Sequence, residues 1–518
     1  MTNRDGARLL ALPPSAVLGR PTETLADVGA TLEPDAVWLL GPEREAQAFA
    51  RTRRAFDAPA FHPPLETSGE PVSRQPIETG LEIAVVRSLR ALRASPADVS
   101  SALSDPCSRS TPIAVVCDDV TTTTRPMALE TGLEGAAELA AALPPGRVTT
   151  VLTGGVPAGY DELWHLAAET GAVRAVEHEP AFACEPAGDD CVSVRVRGVG
   201  PVEGYGGAAS LAVLELDETG VAAVDTHERS EFGLEAVSGV GPKTAERLAD
   251  AEVTTRAELL ETPVDELTNY PGVGRDGAHR MHRHATVLET GEPRRLTDES
   301  LPAESGRPPL CLDIETDGLS PTILWQIGVY DPVDDSYRAF IERDDPDDPA
   351  PVLEALCDWL FASHPDRALL TWNGWRFDYR HLGAFVARHV PYYVDEWESV
   401  PKFDLYDWAV REGHALLPGR TNKLEDVAGA LGYESAETGL DGAQTAAAYQ
   451  RFLRTREELD WARHEAYCED DCRALWHVYE RLRDAPRATD SSDTSPAEAE
   501  GATSTGTMGG EQTGLGDF

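Results

Sequence analysis

Apolar runs and helical repeats alternate through residues 1–230. Runs that are typical of β-strands occur at 36–40, 113–117, 148–153 and 212–216. Helical patterns at 43–56 and 133–143 lie between them. This alternation favours a sheet covered by helices, so we predict an α/β domain of unknown type and unknown function.

Two details of this region lie at the ends of apolar runs, where α/β folds often bind ligands. They are the pairs Asp118-Asp119 and Gly154-Gly155. Because the chain contains 89 acidic residues and 44 glycines, we interpret all four as ordinary loop residues.

The region 308–485 combines strand patterns with strong helical patterns. Apolar runs at 310–316 and 369–371 are typical of strands, and helices are predicted at 379–388 and 461–483.

Between these regions, residues 236–288 are predicted to form an all-α domain. Two Gly-Val-Gly repeats, each flanked by helical pattern, begin at Gly239 and Gly272. Residues 289–307 are rich in Pro, Glu, Ser and Arg and are predicted to be a linker. Residues 486–518 are mostly Ser, Thr, Ala, Gly, Asp and Glu, which cannot bury a core, so a disordered tail is expected.

The formal net charge is −44, and acidic residues are spread through every region. Only three of the 45 basic residues are lysine, namely Lys243, Lys402 and Lys423. A diffuse acidic excess with almost no lysine resembles the proteins of salt-loving archaea. At molar salt the Debye length falls to about 3 Å, so the net charge excludes no nucleic-acid partner.

The chain shows no signal for membranes or disulfides. No apolar run approaches the ~20 residues of a membrane span, and Pro13 and Pro14 interrupt the N-terminal run, so a signal peptide is not expected. The eight cysteines include no C-x-x-C pair, so we expect a reduced, cytoplasmic protein. Cys184 and Cys191 could form a bridge, but separate buried thiols are the favoured interpretation.

Acidic residues of the region 308–485 stand where their side chains can converge. Asp313 and Glu315 are two apart on a predicted strand, so both face one side. Asp378 begins a predicted helix, where the helix dipole also favours a carboxylate that has no catalytic role. Tyr467 and Asp471 are four apart and share one face of the last helix.

Carboxylates that converge repel one another unless they ligate cations. Mg²⁺ and Mn²⁺ prefer oxygen ligands, and two such ions about 4 Å apart can activate water for attack on a phosphate and stabilise the leaving oxygen. The candidate ligands are Asp313, Glu315, Asp378 and Asp471. Asp470 is the alternative to Asp471, but it would point about 100° away around the helix.

These motifs, in this order, resemble the DEDDy exonucleases, which include the proofreading domains of family B DNA polymerases and the YprB-like ribonuclease H-like proteins. The matching positions are Asp313 and Glu315 in D-x-E, Asn373, Phe377 and Asp378 in N-x-x-x-F-D, and Tyr467 and Asp471 in Y-x-x-x-D. Residues 423–428 and Gly432 resemble the segment before the last motif. The resemblance implies a ribonuclease H-like α/β fold, in which helices flank a mixed sheet. It also implies two divalent ions and 3′ to 5′ hydrolysis, with Tyr467 positioning the attacking water.

Other side chains near these motifs allow a simpler interpretation. His464, Cys468 and Cys472 form a stripe on the last helix, but one helix cannot wrap a zinc ion with so long a stripe, so we interpret it as core. Trp372 and Trp375 could stack on a base, although core packing is at least as reasonable for Trp372.

Gly-Val-Gly between short helices resembles the helix-hairpin-helix motif, in which a tight turn points amide N–H groups at a phosphate. The matching residues are Gly239, Val240, Gly241 and Lys243 in the first copy and Gly272, Val273, Gly274 and Arg275 in the second. Two copies resemble the tandem domains that grip the backbone of duplex DNA. The alternative is a structural or protein-binding tandem domain.

The residues Gln512, Leu515 and Phe518 at the end of the chain resemble the sliding-clamp (PCNA) interaction peptide, Q-x-x-L-x-x-F. The usual pattern has a second aromatic residue, which is missing here. An apolar Leu and Phe have no folding reason to occur in a polar tail, so a clamp partner is favoured over a chance match.

The sequence therefore predicts a cytoplasmic, metal-dependent DNA exonuclease of repair or replication. The hairpins would hold a duplex, or a junction with a single-stranded end, and the tail would bind a clamp. One alternative is an RNA-directed exonuclease, against which the hairpins and the tail argue. The other is a non-catalytic DNA-binding adaptor, against which the complete acidic set argues.

Overall fold

A computed structural model of the chain describes much of the sequence and divides it into two compact units. The described residues are 6–41, 45–62, 71–78, 80–94, 96–103, 112–125, 130–158, 160–177, 190–201, 211–301, 304, 306–318, 321–343, 348–436, 438–440, 442–455 and 458–487. The first unit runs to Ala236 and includes Val240–Glu258, and the second comprises Val237–Gly239 and the described residues from Leu259 onward. The predicted clamp-binding residues Gln512, Leu515 and Phe518 lie outside the described residues, as does Cys184.

The first unit is α/β, as the alternating pattern predicted. Its strands and longer helices, in chain order, are β1 (Ala7–Leu12), α1 (Pro14–Leu18), α2 (Thr22–Leu32), β2 (Ala36–Leu39), α3 (Ala46–Ala55), β3 (Ala60–Phe61), β4 (Val72–Glu78), β5 (Leu81–Val86), α4 (Leu89–Ala94), α5 (Pro96–Leu103), β6 (Val115–Val116), β7 (Thr121–Arg125), β8 (Glu130–Glu134), α6 (Ala136–Ala142), β9 (Val148–Pro157), β10 (Asp161–Ala167), β11 (Val173–Glu177), β12 (Cys191–Gly200), β13 (Leu211–Asp217), β14 (Gly220–His227) and α7 (Pro242–Asp250).

These strands form two main sheets, with the orders β14-β13-β1-β2-β3 and β11-β10-β12-β9-β6-β5-β4. In the second sheet β5, β6, β9 and β12 run parallel, which explains the intervening helices, because parallel strands need crossover connections. The helix predicted at 133–143 begins only at Ala136. Leu133 instead belongs to β8, which pairs with β7, and that pairing is not visible in a helical pattern.

Asp118 and Asp119, which follow a predicted strand of this unit, hold loops together. The Asp118 carboxylate accepts hydrogen bonds from the N–H groups of Gly41 and Gly154, at 2.9 and 2.8 Å. The Asp119 carboxylate accepts the N–H of Leu89 at 2.8 Å. These contacts fit the interpretation of both as loop residues.

The remaining elements follow in chain order. They are α8 (Arg256–Glu261), which the division between the units crosses, α9 (Val264–Leu267), α10 (Arg275–Thr290), β15 (Arg294–Arg295), β16 (Leu310–Thr316), β17 (Leu324–Asp331), β18 (Ser336–Ile341), α11 (Ala350–Ser363), β19 (Leu369–Thr371), α12 (Asp378–His389), α13 (Val394–Ser399), β20 (Lys402–Asp404), β21 (Ala415–Leu416), α14 (Leu424–Ala430), α15 (Gly442–Thr455) and α16 (Trp461–Asp484). None of the helices in the described ranges is long and apolar enough to cross a membrane.

The second unit contains the predicted mixed sheet, with the order β18-β17-β16-β19-β20. β16 is antiparallel to β17 and parallel to β19. Alternate residues of β16 face opposite sides: Leu310, Leu312 and Ile314 pack in the core that α11 and α12 cover. Cys311 packs in the other core, with α14 and α16. Because side chains alternate along a strand, the acidic residues of β16 face the α16 side.

The segment predicted as a linker, 289–307, is more ordered than its composition indicates. Strand β15 within it pairs with β21. The Arg295 side chain is fully buried, forms an ion pair with Glu304 at 3.2 Å and lies over the Trp408 ring. Strand β21 and Trp408 come from elsewhere in the chain, so local composition could not reveal these contacts.

Candidate active site

The first pair of carboxylates lies on the central strand of the mixed sheet. β16 has the bounds that the apolar pattern predicted, and it carries Asp313 and Glu315 on one face. Their partners on β17 are Gly328 and Gln326, respectively. Glu315 is buried, with 6% of its surface exposed, whereas Asp313 is partly exposed. The sheet therefore holds both side chains on a fixed backbone.

Asp378 reaches the same place from the start of α12. It is buried, and its carboxylate accepts a hydrogen bond from the main-chain N–H of Ile314, which lies between the two acidic residues of β16. Asn373, earlier in the same loop, has a φ of 64°, in the left-handed region that Asn tolerates better than most residues. The loop is thus bent so that the helix begins at the sheet.

A residue that the sequence analysis missed, Asp404, holds this loop. Asp404 ends β20 and is buried, and its carboxylate accepts the N–H groups of Asn373 at 2.9 Å and Trp375 at 3.0 Å. It also accepts the N–H of Asp407 at 3.2 Å. The signal in the sequence was weak, because a single Asp after one apolar residue, Phe403, is common in so acidic a chain. Only the pairing of β19 with β20 brings it to the loop.

Helix α16 contributes the last residues of the site. The Tyr467 hydroxyl and the Asp471 carboxylate share a hydrogen bond. The nearby Asp471 carboxylate raises the pKa of Asp313 and of Glu315, and these two carboxylates raise the pKa of the Tyr467 hydroxyl. Asp470 points elsewhere: it accepts hydrogen bonds from the Tyr433 hydroxyl and the Ser435 hydroxyl, at 2.8 and 2.7 Å. The helix therefore turns Asp471, and not Asp470, toward the other carboxylates.

The four carboxylates strain one another electrostatically. Burial is the largest cause that raises the pKa of each, and for Asp313, Glu315 and Asp378 neighbouring carboxylates raise it further. The pKa of the Tyr467 hydroxyl is also raised, first by burial and then by the nearby Asp471 and Glu315 carboxylates. The tyrosine therefore keeps its proton at neutral pH.

The donor set suits a hard divalent cation. Among the described residues the Glu315 side chain has no hydrogen-bond partner and no ion pair, although it is buried beside three other carboxylates. Burying such a charge without a partner is costly, and a cation held by carboxylate oxygens would remove that cost. The residues present thus fit Mg²⁺ or Mn²⁺.

The stripe of His464, Cys468 and Cys472 is buried, in agreement with its interpretation as core. His464 lies edge-on to the Trp325 ring. Cys468 additionally contacts the site, since its Sγ lies 3.2 Å from Oδ2 of Asp313.

The two tryptophans beside the second motif differ in exposure. The Trp372 ring lies against Tyr406, and its Nε1 donates a hydrogen bond to the Asn422 carbonyl at 3.0 Å. Trp375 is 49% exposed. Packing therefore explains Trp372, whereas Trp375 remains accessible to a ligand.

Two turns of the hairpin region have the same backbone conformation. In each, a glycine with positive φ, Gly239 at 87° or Gly272 at 89°, precedes a buried valine, Val240 or Val273. A side chain is strained at such φ values, so glycine is the residue that these turns require.

The glycine after each valine caps a helix. Gly241 precedes α7 and Gly274 precedes α10, and a Cβ built on either would meet no described heavy atom within 4 Å. Both helix caps are therefore uncrowded, and the first-turn N–H groups could bind a phosphate, except at Pro242, which has no N–H. Lys243 and Arg275, in these first turns, are both exposed.

Within the second unit, His284 of α10 joins the first turn to the mixed-sheet region. Its Nδ1 accepts the N–H of Ser238 at 2.7 Å, and its Nε2 lies 3.3 Å from the Leu417 carbonyl oxygen. Burial lowers the pKa of His284, which favours the neutral ring that this pair of bonds needs.

Comparison with protein families agrees with this architecture. Residues 310–483 match the RNase H superfamily, and residues 233–286 match the SAM-like helix-hairpin-helix tandem family. No curated protein matches the chain. The chain therefore contains an RNase H-like domain, and a helix-hairpin-helix region precedes it, so the predicted fold class is confirmed. Both domains are consistent with a nuclease or with another nucleic-acid-binding protein.

Proposed function

We propose that this chain is a metal-dependent exonuclease that hydrolyses DNA from the 3′ end, in repair or replication. The observation that carries the proposal is the acidic cluster: Asp313, Glu315, Asp378 and Asp471 converge from β16, α12 and α16 inside an RNase H-like domain. A purely structural cluster of this kind would destabilise the fold, because burial and mutual repulsion oppose its charge.

These four carboxylates would hold two Mg²⁺ or Mn²⁺ ions. Bound there, the ions would lower the pKa of water and stabilise charge on the oxygens that attack and leave the phosphate. Tyr467 keeps its proton, so we assign it to orient the attacking water rather than to remove a proton from it. Asp404 keeps the loop that carries Asp378 in place.

We further propose that residues 236–288 grip the duplex beside the cleaved end. The support is the repeated turn, in which glycine caps leave two helix N-termini open to phosphate. The candidate contacts are Gly239, Val240, Gly241, Lys243, Gly272, Val273, Gly274 and Arg275. Contacts of this kind bind the backbone without reading sequence.

Two finer parts of the proposal concern the rest of the chain. In this proposal, residues 308–485 form the catalytic domain. Residues 486–518 form a tail, in which Gln512, Leu515 and Phe518 bind a sliding clamp. The acidic, lysine-poor composition favours a salt-rich working environment, and the eight cysteines without a C-x-x-C pair favour a reduced cytoplasm.

The test is a nuclease assay in molar KCl with Mg²⁺, Mn²⁺ or EDTA. Substrates labelled at the 5′ end should include single-stranded DNA, duplexes with 3′ or 5′ overhangs, and RNA. We expect ladders of DNA products that shorten from the 3′ end only when a divalent ion is present. If only RNA is cleaved, the chain is an RNA-directed exonuclease. If nucleic acid is bound but never cleaved, the chain is a non-catalytic adaptor.

A further inference from the structure

A cysteine thiol lies inside the acidic cluster. Cys468 is fully buried, and its Sγ lies 3.2 Å from Oδ2 of Asp313. One carboxylate oxygen of Asp313, one of Glu315 and the Sγ of Cys468, each of which could ligate a metal, all lie within 4.8 Å of one another. Because an ionised carboxylate only accepts hydrogen bonds, the thiol is the donor in the contact with Asp313.

Other polar side chains and a glycine surround the Cys468 thiol. The Tyr337 hydroxyl of β18 donates a hydrogen bond to its Sγ, Cys472 of α16 lies beside it, and Gln326 donates to the Tyr337 hydroxyl at 3.3 Å. Gly328, which pairs with Asp313, leaves the space: a Cβ there would lie 2.4 Å from Sγ and 2.7 Å from the hydroxyl. A side chain at Gly328 would therefore displace the thiol from its place beside Asp313.

We propose that Cys468 is a positioning residue for the metal site: its S–H group holds one oxygen of Asp313 and leaves the other free to ligate the ions. This inference rests on the proposed function. A held carboxylate loses less rotational freedom when it binds a cation, and its ligating oxygen is already oriented. A lysine or arginine in this place would instead neutralise the charge that attracts the cation.

The expected size of the effect follows from the chemistry of the donor. Removing groups that orient metal ligands typically weakens metal binding by about 10–100-fold. A thiol is a weak donor, so we expect the lower end of that range, about tenfold.

The test measures Mn²⁺ binding to the full chain in molar KCl without nucleic acid, from the electron paramagnetic resonance signal of free Mn²⁺. The variants are Cys468→Ala, Cys468→Ser and the matched control Cys357→Ala. Cys357 is equally buried but packs in the core beneath α11. We expect Cys468→Ala to bind Mn²⁺ about tenfold more weakly, Cys468→Ser to recover most of the affinity because serine donates a hydrogen bond, and Cys357→Ala to match the wild type.

Several outcomes would overturn the inference. Equal affinity of Cys468→Ala and the wild type would do so, and so would Cys468→Ser as weak as Cys468→Ala, since packing alone would then explain the residue. If the wild type binds no Mn²⁺ at all, the proposed metal site fails together with it. A thiolate charge-transfer band with Co²⁺ would make Cys468 a ligand instead of a donor.

A second variant keeps the inference testable if Cys468→Ala does not fold. Tyr337→Phe leaves the thiol but removes the hydroxyl that holds it, and it should weaken Mn²⁺ binding by about twofold to threefold, less than loss of the thiol itself. Unchanged affinity in a folded Tyr337→Phe would show that the arrangement around the thiol does not matter to the ions.

Discussion

The hairpin turns and the acidic cluster are specified on different scales. Each turn depends on three consecutive residues, a glycine with positive φ, a buried valine and a capping glycine. The cluster instead takes its members from β16, α12 and α16, so it exists only after the sheet has formed. Local backbone chemistry can therefore be predicted from a few letters, whereas an electrostatic site depends on long-range packing. Substitutions in one region should leave the other intact.

The largest expected effect separates catalysis from binding. Asp313→Ala or Asp378→Ala removes a ligand of ions that the transition state needs, so cleavage should fall by about a thousandfold or more. Binding to duplex DNA, measured by fluorescence anisotropy in parallel, should stay within about twofold of the wild type. Unchanged cleavage in both variants would remove the acidic cluster from the mechanism.

A smaller loss is expected for Tyr467→Phe. This change keeps the ring and removes only the hydroxyl that hydrogen-bonds with Asp471. The rate should fall roughly tenfold to a thousandfold, the range of a lost positioning or proton-transfer contact. Rapid-quench kinetics at saturating Mn²⁺ measures the effect, and a rate equal to that of the wild type would leave the hydroxyl without a role.

Substitutions in the hairpins are expected to weaken DNA binding and to leave cleavage intact. The double variant Gly241→Ala, Gly274→Ala places methyl groups where the protein leaves open space, so folding should be retained. The methyls block the approach of phosphate to the helix N-termini, and duplex affinity should fall about tenfold, roughly the 1.4 kcal/mol of one or two lost hydrogen bonds. Cleavage of short single strands should persist.

The hairpin glycines with positive φ provide a contrast. Gly239→Val and Gly272→Val strain the backbone itself, so they should also lower the melting temperature, unlike the capping-glycine variants. Equal loss of single-strand and duplex cleavage in the capping variants would show that these turns serve the fold and do not bind DNA.

The cluster also predicts how stability depends on pH. The folded-state pKa of each carboxylate is raised, to about 7 for Asp378 and Asp471, so the metal-free fold binds more protons than the unfolded chain. That stability is fully present below about pH 4 and is lost as the pH rises through 7. Calorimetry from pH 5 to 8 with EDTA should show a falling melting temperature, and added Mn²⁺ should reverse the fall.

Asp378→Asn sharpens this prediction. It removes one of the repelling charges, so it should raise the metal-free melting temperature at pH 8 by about 2–4 °C, the shift of about 1 kcal/mol in a domain of this size. It should also reduce the stabilisation by Mn²⁺. A destabilised Asp378→Asn would indicate that the carboxylate has a structural role.

The smallest effect concerns the tail, which should influence neither region. Leu515→Ala, Phe518→Ala should abolish micromolar binding to the host's sliding clamp and leave cleavage of short substrates unchanged. Calorimetry in molar KCl measures this. Absence of any complex with the wild-type chain would make the terminal motif a coincidence.

The two scales also explain how far the sequence could be interpreted. The bounds of β16, the helices α12 and α16 and both glycine turns followed from local patterns. Asp404 and Cys468 did not, because one reaches the site through the pairing of β19 with β20 and the other through a space opposite Asp313. The burial of Arg295 could not be predicted for the same reason, because its segment has the composition of a linker and is ordered by pairing with β21.

The carboxylates of the first unit have a different environment from those of the second. The α/β class of the first unit followed from the alternation of runs, and Asp118 and Asp119 hold loops. These two carboxylates accept main-chain N–H groups, whereas those of the acidic cluster lie close to one another.

The central claim is that Asp471 completes a catalytic metal site, and its neighbour Asp470 offers the matched comparison. Both lie on α16, but Asp470 is bound to Tyr433 and Ser435. The measurement is the cleavage rate of a 5′-labelled DNA strand with Mn²⁺ in molar KCl. Asp471→Asn should lose about a thousandfold or more, and Asp470→Asn should stay within about tenfold of the wild type. Full activity in Asp471→Asn together with an inactive Asp470→Asn would contradict the assignment of the site.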